Sequence, residues 1–177
     1  MRSGSPFAPA WSGVFPAGCL LGVVLLLGLS ACQSPRSATA DGTVWARFHL
    51  ESAPDGAGLP LVLPQSGSRV AVNPKPVITE GDVVNVELVQ VDLGKCLMFQ
   101  LTPSAARDFY RLSGTHQGRR LVLLINDVAI GARRLDGAMA DGLVYIFVEM
   151  PDDQLPELVV RLKGSSIAYQ REIARKG

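Results

Sequence analysis

Few side chains in this sequence have the types and spacing that catalysis or metal binding requires. His49 lies in an apolar, alternating stretch and His116 in a loop, and neither has an Asp, Cys or Ser at a recognisable motif spacing. Each histidine is therefore interpreted as a surface or core-edge residue. Four acidic residues of the second half could suggest a cation site, but they lack the spacing of an EF-hand; they are Asp136, Asp141, Asp152 and Asp153. We predict no catalytic residue, no metal site and no cofactor, with an enzyme whose site is unrecognised as the less favoured alternative.

The three cysteines do not form a redox or metal set. Cys19 begins an apolar run, Cys32 directly follows that run, and Cys96 stands alone in the apolar, strand-like stretch Lys95–Leu101. A lone cysteine in such a stretch is more often a buried thiol than a reactive one. We therefore expect Cys96 to be buried and unreactive.

The N-terminal segment has the pattern of a secretory signal peptide. The apolar run from Cys19 to Ala31 falls within the roughly 7–15 residues of a signal-peptide core and is shorter than the roughly 20 of a membrane-spanning helix. Arg2 and the free amine supply a weakly positive start. Residues 1–31 are predicted to be this signal peptide.

The end of this run, Leu29-Ser30-Ala31-Cys32, resembles the lipobox of bacterial lipoproteins. The resemblance implies transfer of a diacylglyceryl group (with acyl chains such as palmitate) to the Cys32 thiol, cleavage between Ala31 and Cys32, and anchoring to a membrane. Several acyl chains together anchor a protein stably, whereas one does so only marginally. The alternative is that Cys32 simply ends an apolar segment.

Residues 32–43 are small and polar, which is typical of a flexible tether. Gln33, rather than Asp, follows the cysteine. In a cell with two membranes, the sorting pattern of the lipoprotein family would then favour the outer membrane. The expected location is the cell envelope, on the side that faces the periplasm.

Composition and charge exclude some classes of partner. The chain has 177 residues, with 17 basic and 16 acidic side chains and a net charge of +1. This balance gives neither the basic footprint of a nucleic-acid binder nor a polybasic signal for an anionic membrane surface. We predict no nucleic-acid partner.

Hydrophobic periodicity predicts one α+β domain over residues 44–173. A helix is expected after Thr102 as N-cap and Pro103 as first residue. A second helix is expected from Asp152 or Asp153 to Lys163, with Gly164 as its stop and a last strand over Ser166–Ile173. The predicted strands cover 44–50, 59–63, 69–72, 86–91, 96–101, 120–125, 128–131 and 143–148. Two helices on one face of a mainly antiparallel sheet are the expected architecture.

Two basic pairs flank the predicted hairpin turn Asn126-Asp127. If the hairpin forms, these pairs face each other across it as a patch for an anion or a peptide carboxylate; they are Arg119, Arg120, Arg133 and Arg134. The alternative is a solvated edge whose charges discourage strand addition.

Four segments between about Val86 and Gly164 match one family pattern: the strand and helix of Phe99–Phe109, the strand and turn of Gly118–Val128, the strand Gly142–Phe147, and the helix Pro151–Gly164. Through these segments the sequence resembles the head of the first periplasmic domain of SecD, an accessory subunit of the bacterial protein-export channel. The membrane helices of SecD have no counterpart here. Arg133 replaces a proline of the family pattern and Ile146 a glycine.

The two resemblances together imply a lipid-anchored, non-catalytic envelope protein with a SecD head-like domain. Its expected partner is another envelope or export-related protein, or an extended polypeptide. A structural envelope lipoprotein without a discrete ligand is the alternative.

Overall fold

The computed structural model describes residues 42–176. These residues belong to one compact unit. The predicted signal peptide, the cleavage site between Ala31 and Cys32, the acylation site Cys32 and most of the predicted tether lie outside the described residues. The elements, in chain order, are β1 Ala46–Leu50, β2 Leu59–Val62, β3 Arg69–Val72, a 3-10 turn Glu80–Asp82, β4 Val83–Val91, β5 Gly94–Leu101, α1 Pro103–Thr115, β6 Arg120–Ile125, β7 Val128–Arg134, β8 Leu143–Ile146 and α2 Leu155–Lys176.

The strands form three small antiparallel sheets rather than one continuous sheet. Sheet 1 has the order β1-β6-β7, sheet 2 is the hairpin β2-β3, and sheet 3 has the order β4-β5-β8. The predicted α+β class with antiparallel strands and two helices is confirmed. The division into sheets could not be read from periodicity, because periodicity identifies strands and not their partners.

The β6–β7 hairpin of sheet 1 turns at Asn126-Asp127, as predicted. Asn126 has φ 47° and Asp127 has φ 66°. Two successive positive φ values match the right-handed twist of the flanking strands, and Asn and Asp tolerate them better than most residues. The register opposes Arg120 to Arg134 and Leu121 to Arg133.

The continuous apolar sequence of β6 follows from its position between two cores. On one face, Leu121 and Leu123 join Phe48 in the main core. On the other, Val122 and Leu124 pack in a smaller core beneath sheet 2. A strand covered on both faces has no polar side in its sequence.

The main core lies between sheets 1 and 3 and the two helices. Phe48 of β1 and Phe99 of β5 are fully buried, and their rings meet edge to face with centroids 4.9 Å apart. Phe109 of α1 and Leu162 of α2 pack into the same core. The antiparallel pairing of β5 with both β4 and β8 places Phe99 at the centre of sheet 3.

Helix α1 begins as the sequence predicts. The Thr102 hydroxyl accepts a hydrogen bond from the Ala105 N–H at 3.2 Å, and Pro103 occupies the first helical position. Pro at that position loses no hydrogen bond, because the first N–H groups of a helix have no intrahelical acceptor.

Helix α2 differs from its prediction. It begins at Leu155, after a short turn, and continues through Gly164 to Lys176, so the predicted strand Ser166–Ile173 is wrong. A glycine inside a helix costs about 1 kcal/mol relative to alanine, which tertiary contacts override here. The Ser165 hydroxyl accepts from the Val44 N–H at 2.9 Å, and the Gln170 amide donates to the Gly81 carbonyl at 2.9 Å.

Between residues 42 and 176, neither helix combines the length and apolar character needed to cross a bilayer.

Candidate functional site

The four arginines of the predicted patch do not form one cluster. Arg120 and Arg134 are directly opposite on the β6–β7 hairpin, whereas Arg133 is opposite Leu121. Because successive side chains of a strand point to opposite faces, Arg133 lies on the main-core face and Arg134 on the face that carries sheet 2. Arg119 precedes β6, and its carbonyl accepts from the Leu135 N–H at 2.9 Å.

Arg120 is occupied by an ion pair with Glu51 at the end of β1. Its Nη2 donates to Glu51 Oε1 at 2.6 Å, its Nε to the same oxygen at 3.1 Å, and its backbone N–H to Oε2 at 2.8 Å. These hydrogen bonds hold the pKa of Glu51 below its usual value, against the opposing effect of burial. The ion pair links β6 to the end of β1. Because Glu51 neutralises the Arg120 guanidinium, Arg120 has little net charge to offer a ligand.

Arg133 reaches from sheet 1 to sheet 3. Its Nη1 donates to the backbone carbonyl of Tyr145 on β8 at 3.0 Å. Arg134, beside it, has Asp136 as a distant ion-pair partner at 3.7 Å, with both side chains more than two-thirds exposed. An exposed pair at that distance contributes little to stability, so Arg134 remains available to a ligand.

A groove of about 470 Å³ lies between the outer strands of these two sheets. Its sheet 1 side consists of Ala132, Arg133, Arg134 and Asp136. Its sheet 3 side consists of Val91, Leu93, Cys96, Tyr145 and Phe147. The groove therefore combines two of the four predicted arginines with an apolar wall, and Arg119 and Arg120 do not line it.

The apolar wall of the groove was missed by the sequence reasoning. Leu93 is 85 % exposed in the tight turn between β4 and β5, and Phe147 is 42 % exposed just after β8. The sequence does contain one signal of this wall, a leucine within the turn-like stretch Val91-Asp92-Leu93-Gly94. The wall itself becomes evident only when β8 is placed beside β5, since the two strands are far apart in the chain.

Cys96 is buried at the base of this groove, as predicted. Its side chain is almost inaccessible, and burial raises the pKa of the thiol while the nearby Arg133 guanidinium opposes that shift. A thiol with a raised pKa stays protonated at neutral pH and is a poor nucleophile. Cys96 therefore contributes packing to the groove rather than reactivity.

The two histidines each lie within hydrogen-bond distance of a backbone carbonyl oxygen. His49 is buried, with Nδ1 2.9 Å from the Asn73 carbonyl oxygen. His116 follows α1, and its Nδ1 lies 2.9 Å from the Leu112 carbonyl oxygen. Over residues 42–176 no group of three or more His, Cys, Asp or Glu side chains is arranged to hold a metal ion.

A second, smaller cavity of about 230 Å³ lies between β1, β4 and α2. Its walls include Trp45, Val83, Leu162 and Tyr169. The only charged side chain on it, Glu80, already accepts two hydrogen bonds of 3.0 Å from Arg47. Its other polar side chains are Thr43, Ser165, Ser166 and Tyr169, and the Ser165 hydroxyl already accepts from the Val44 N–H. The groove between the sheets is larger and presents two arginines, so it is the better candidate site.

Two solved SecDF structures share the fold of the described domain. A structure of SecDF, described as a membrane component that enhances protein export, aligns with a TM-score of 0.53 at 16% identity, over 68% of this chain and 62% of that chain. A crystal structure of SecDF in a super-membrane-facing form aligns with a TM-score of 0.54 at 16% identity, over 69% of this chain and 19% of that one. The chain thus spans less than two thirds of the length of either structure.

Neither a protein-family model nor a curated protein matches the chain. At 16% identity the likeness to SecDF is one of fold alone. It nevertheless agrees with the resemblance between residues 86–164 and SecD. The described domain is an α+β domain with the fold of part of SecDF.

Proposed function

We propose that this chain is a lipid-anchored, non-catalytic protein of the cell envelope that binds an extended polypeptide, or another envelope or export-related protein, through the groove between sheets 1 and 3. The observation that carries the proposal is the groove itself: an open, partly apolar cleft with two arginines, in a domain of SecDF-like fold. The lipobox-like residues Leu29–Cys32 support attachment to a membrane through Cys32. The domain then faces the periplasm, on the outer membrane if the host has two membranes.

The binding mode fits the groove better than a catalytic mode does. Its thiol is buried, and its two arginines can orient an anionic or carbonyl group but cannot act as nucleophile or general base. Its one carboxylate, Asp136, is largely exposed to water and lies beside Arg134. Extended polypeptides present apolar side chains and backbone groups together, which is the combination that a partly apolar cleft with polar edges recognises.

In-cell photocrosslinking tests this function. A photoreactive residue at Leu93, in the groove, is compared with one at Val160, which is also highly exposed but lies on α2 and outside the groove. We expect discrete adducts from Leu93 and none of the same species from Val160. Adducts that contain export-channel subunits or exported chains would connect the domain to protein export.

The same experiment is repeated in a Cys32→Ala background, with labelling by an alkyne-tagged fatty acid. We expect the label on the wild-type chain and none on the variant, together with loss of the variant from the membrane fraction. Label on both chains, or on neither, would contradict the anchor at Cys32 without affecting the groove.

A structural envelope lipoprotein without a discrete ligand is the second candidate. It is favoured by the internal use of Arg120 and Arg133, which bind Glu51 and the Tyr145 carbonyl. A structural role predicts that Leu93 and Val160 crosslink to the same abundant envelope proteins. That result would overturn the binding function in favour of the structural one.

A further inference from the structure

The outer strands of two different sheets border the same groove. β7 is one of the two outer strands of sheet 1, and β8 is one of the two outer strands of sheet 3. β7 meets the residues just after β8 at the antiparallel bridge between Gly131 and Val148, where the Glu149 N–H donates to the Ile130 carbonyl at 2.6 Å. Beyond this junction β7 and β8 are not paired with each other, and within residues 42–176 no strand pairs with either free edge along the groove.

The backbone of Arg134 points into the groove from β7. The Glu51 N–H donates to the Arg120 carbonyl at 2.8 Å, so the backbone groups of Arg120 face β1. In an antiparallel ladder the backbone N–H and C=O groups of successive residues point alternately to one neighbouring strand and the other. The backbone groups of Leu121 therefore point to β7, where Leu121 forms the hydrogen-bonded pair with Arg133. Arg134, the next residue, therefore turns its N–H and C=O away from β6 and towards the groove.

The backbone of Tyr145 points into the groove from β8. The Leu101 N–H donates to the Gly142 carbonyl at 2.9 Å, so Gly142, and by alternation Val144, face β5. Tyr145 then faces away from β5, and its carbonyl indeed accepts the Arg133 side chain at 3.0 Å. The Arg133 side chain thus occupies the Tyr145 carbonyl, a backbone acceptor on the free edge of β8 that an added strand would otherwise bind.

The side chains around these edges indicate the composition of an occupant. Leu93 and Phe147 expose apolar surface on one side, while Arg133 and Arg134 face a single carboxylate, Asp136, on the other. The excess of positive charge is complementary to an acidic side chain, and the apolar side to apolar ones.

We propose that the groove binds an extended polypeptide segment, with apolar side chains and an acidic residue, as an added β-strand between β7 and β8. The added strand accepts and donates backbone hydrogen bonds at Arg134 and Tyr145, and its carboxylate draws Arg133 from the Tyr145 carbonyl. Sheets 1 and 3 then become one sheet in the order β1-β6-β7-segment-β8-β5-β4. Because β7 and β8 are antiparallel to each other, the segment runs parallel to one and antiparallel to the other. The inference rests on the proposed binding function and specifies its mode.

The test compares two substitutions at one residue of the full-length protein in detergent. Arg134→Ala removes the charge and keeps the outward N–H, whereas Arg134→Pro removes both and leaves the β6–β7 ladder intact, since that N–H does not face β6. The probe is a fluorescent peptide in which valine and threonine alternate around one glutamate, and binding is followed by fluorescence anisotropy. We expect Arg134→Ala to weaken binding roughly two- to fivefold and Arg134→Pro by about tenfold or more.

A second probe avoids any change to the protein. The same peptide, N-methylated at alternate residues on one edge, keeps its side chains but loses the donors on that edge, and we expect it not to bind. Equal binding of the methylated and parent peptides, or equal effects of the two Arg134 variants, would overturn strand addition. Self-association of the chain that Arg134→Pro abolishes, without peptide binding, would overturn it in favour of a second copy as occupant.

The crosslinking experiment separates this inference from the proposed function. Discrete adducts at Leu93 with no peptide binding would overturn strand addition and keep the binding function. Absence of both the adducts and peptide binding would overturn the binding function together with strand addition.

Discussion

Arg120 and Glu51 illustrate how a predicted site residue can serve the fold instead. The basic pairs were visible in the sequence. The ion pair that neutralises Arg120 was not, because its partner Glu51 lies 69 residues away in the chain. Arg133 and Arg134 do line an open groove, yet on opposite faces of β7. Whether these two arginines contact a ligand stays a prediction.

The Glu51–Arg120 pair predicts a pH dependence of stability. A carboxyl with a lowered pKa stabilises the fold above its unfolded pKa, and that contribution is lost as the pH falls through the lower folded pKa. Glu51→Gln should therefore reduce the free energy of unfolding at neutral pH by about 1 kcal/mol, a value discounted because Arg120 is partly exposed. The reduction should vanish at strongly acidic pH.

Urea unfolding at several pH values measures this dependence. Asp55→Asn, in an exposed loop, is the matched control and should leave stability nearly unchanged at every pH. A Glu51→Gln deficit that persists undiminished in acid would show that the hydrogen-bond geometry, rather than the charge, stabilises the pair.

At the scale of elements, α2 is where local sequence rules and tertiary packing disagree. Gly164 after Lys163 matches the pattern of a helix end, and the following residues alternate as a strand would. In the structure Ile167 and Ile173 are about half exposed, while Ser166 is buried against the domain. Ser165 contacts Val44, and Gln170 contacts Gly81. Sequence periodicity could not predict these contacts, because they join residues far apart in the chain.

Gly164→Ala distinguishes the continuous helix from the sequence-based alternative. An added Cβ at Gly164 meets no atom within 4 Å, and its backbone is helical. The variant should therefore unfold at a higher temperature, with about 1 kcal/mol of added stability. If Gly164 instead ended the helix in a left-handed conformation, the alanine would be destabilising, and a lowered melting temperature would refute the long helix.

At the scale of the whole molecule, Gly131 determines how closely sheets 1 and 3 approach. A Cβ at this position would overlap the Phe147 carbonyl oxygen, which is backbone and cannot rotate away. Gly131→Ala should therefore force the β7–β8 junction apart and cost about 1–3 kcal/mol of stability, the range for overpacked sites.

Gly137→Ala is the control for that prediction, because its Cβ meets no atom within 4 Å. Thermal unfolding of both variants beside the wild type measures the difference. Equal melting temperatures for the two variants would mean that the sheets do not meet at Gly131.

The sequence by itself determined the α+β class, the capped start of α1, the Asn126-Asp127 turn and the buried state of Cys96, because each depends on neighbouring residues or on local periodicity. It also led to the SecD resemblance, which the fold shared with SecDF supports. Tertiary structure alone decided the three-sheet arrangement, the extension of α2 and the groove between β7 and β8. These features rest on contacts between residues far apart in the chain, and a one-dimensional pattern does not specify which distant strands become neighbours.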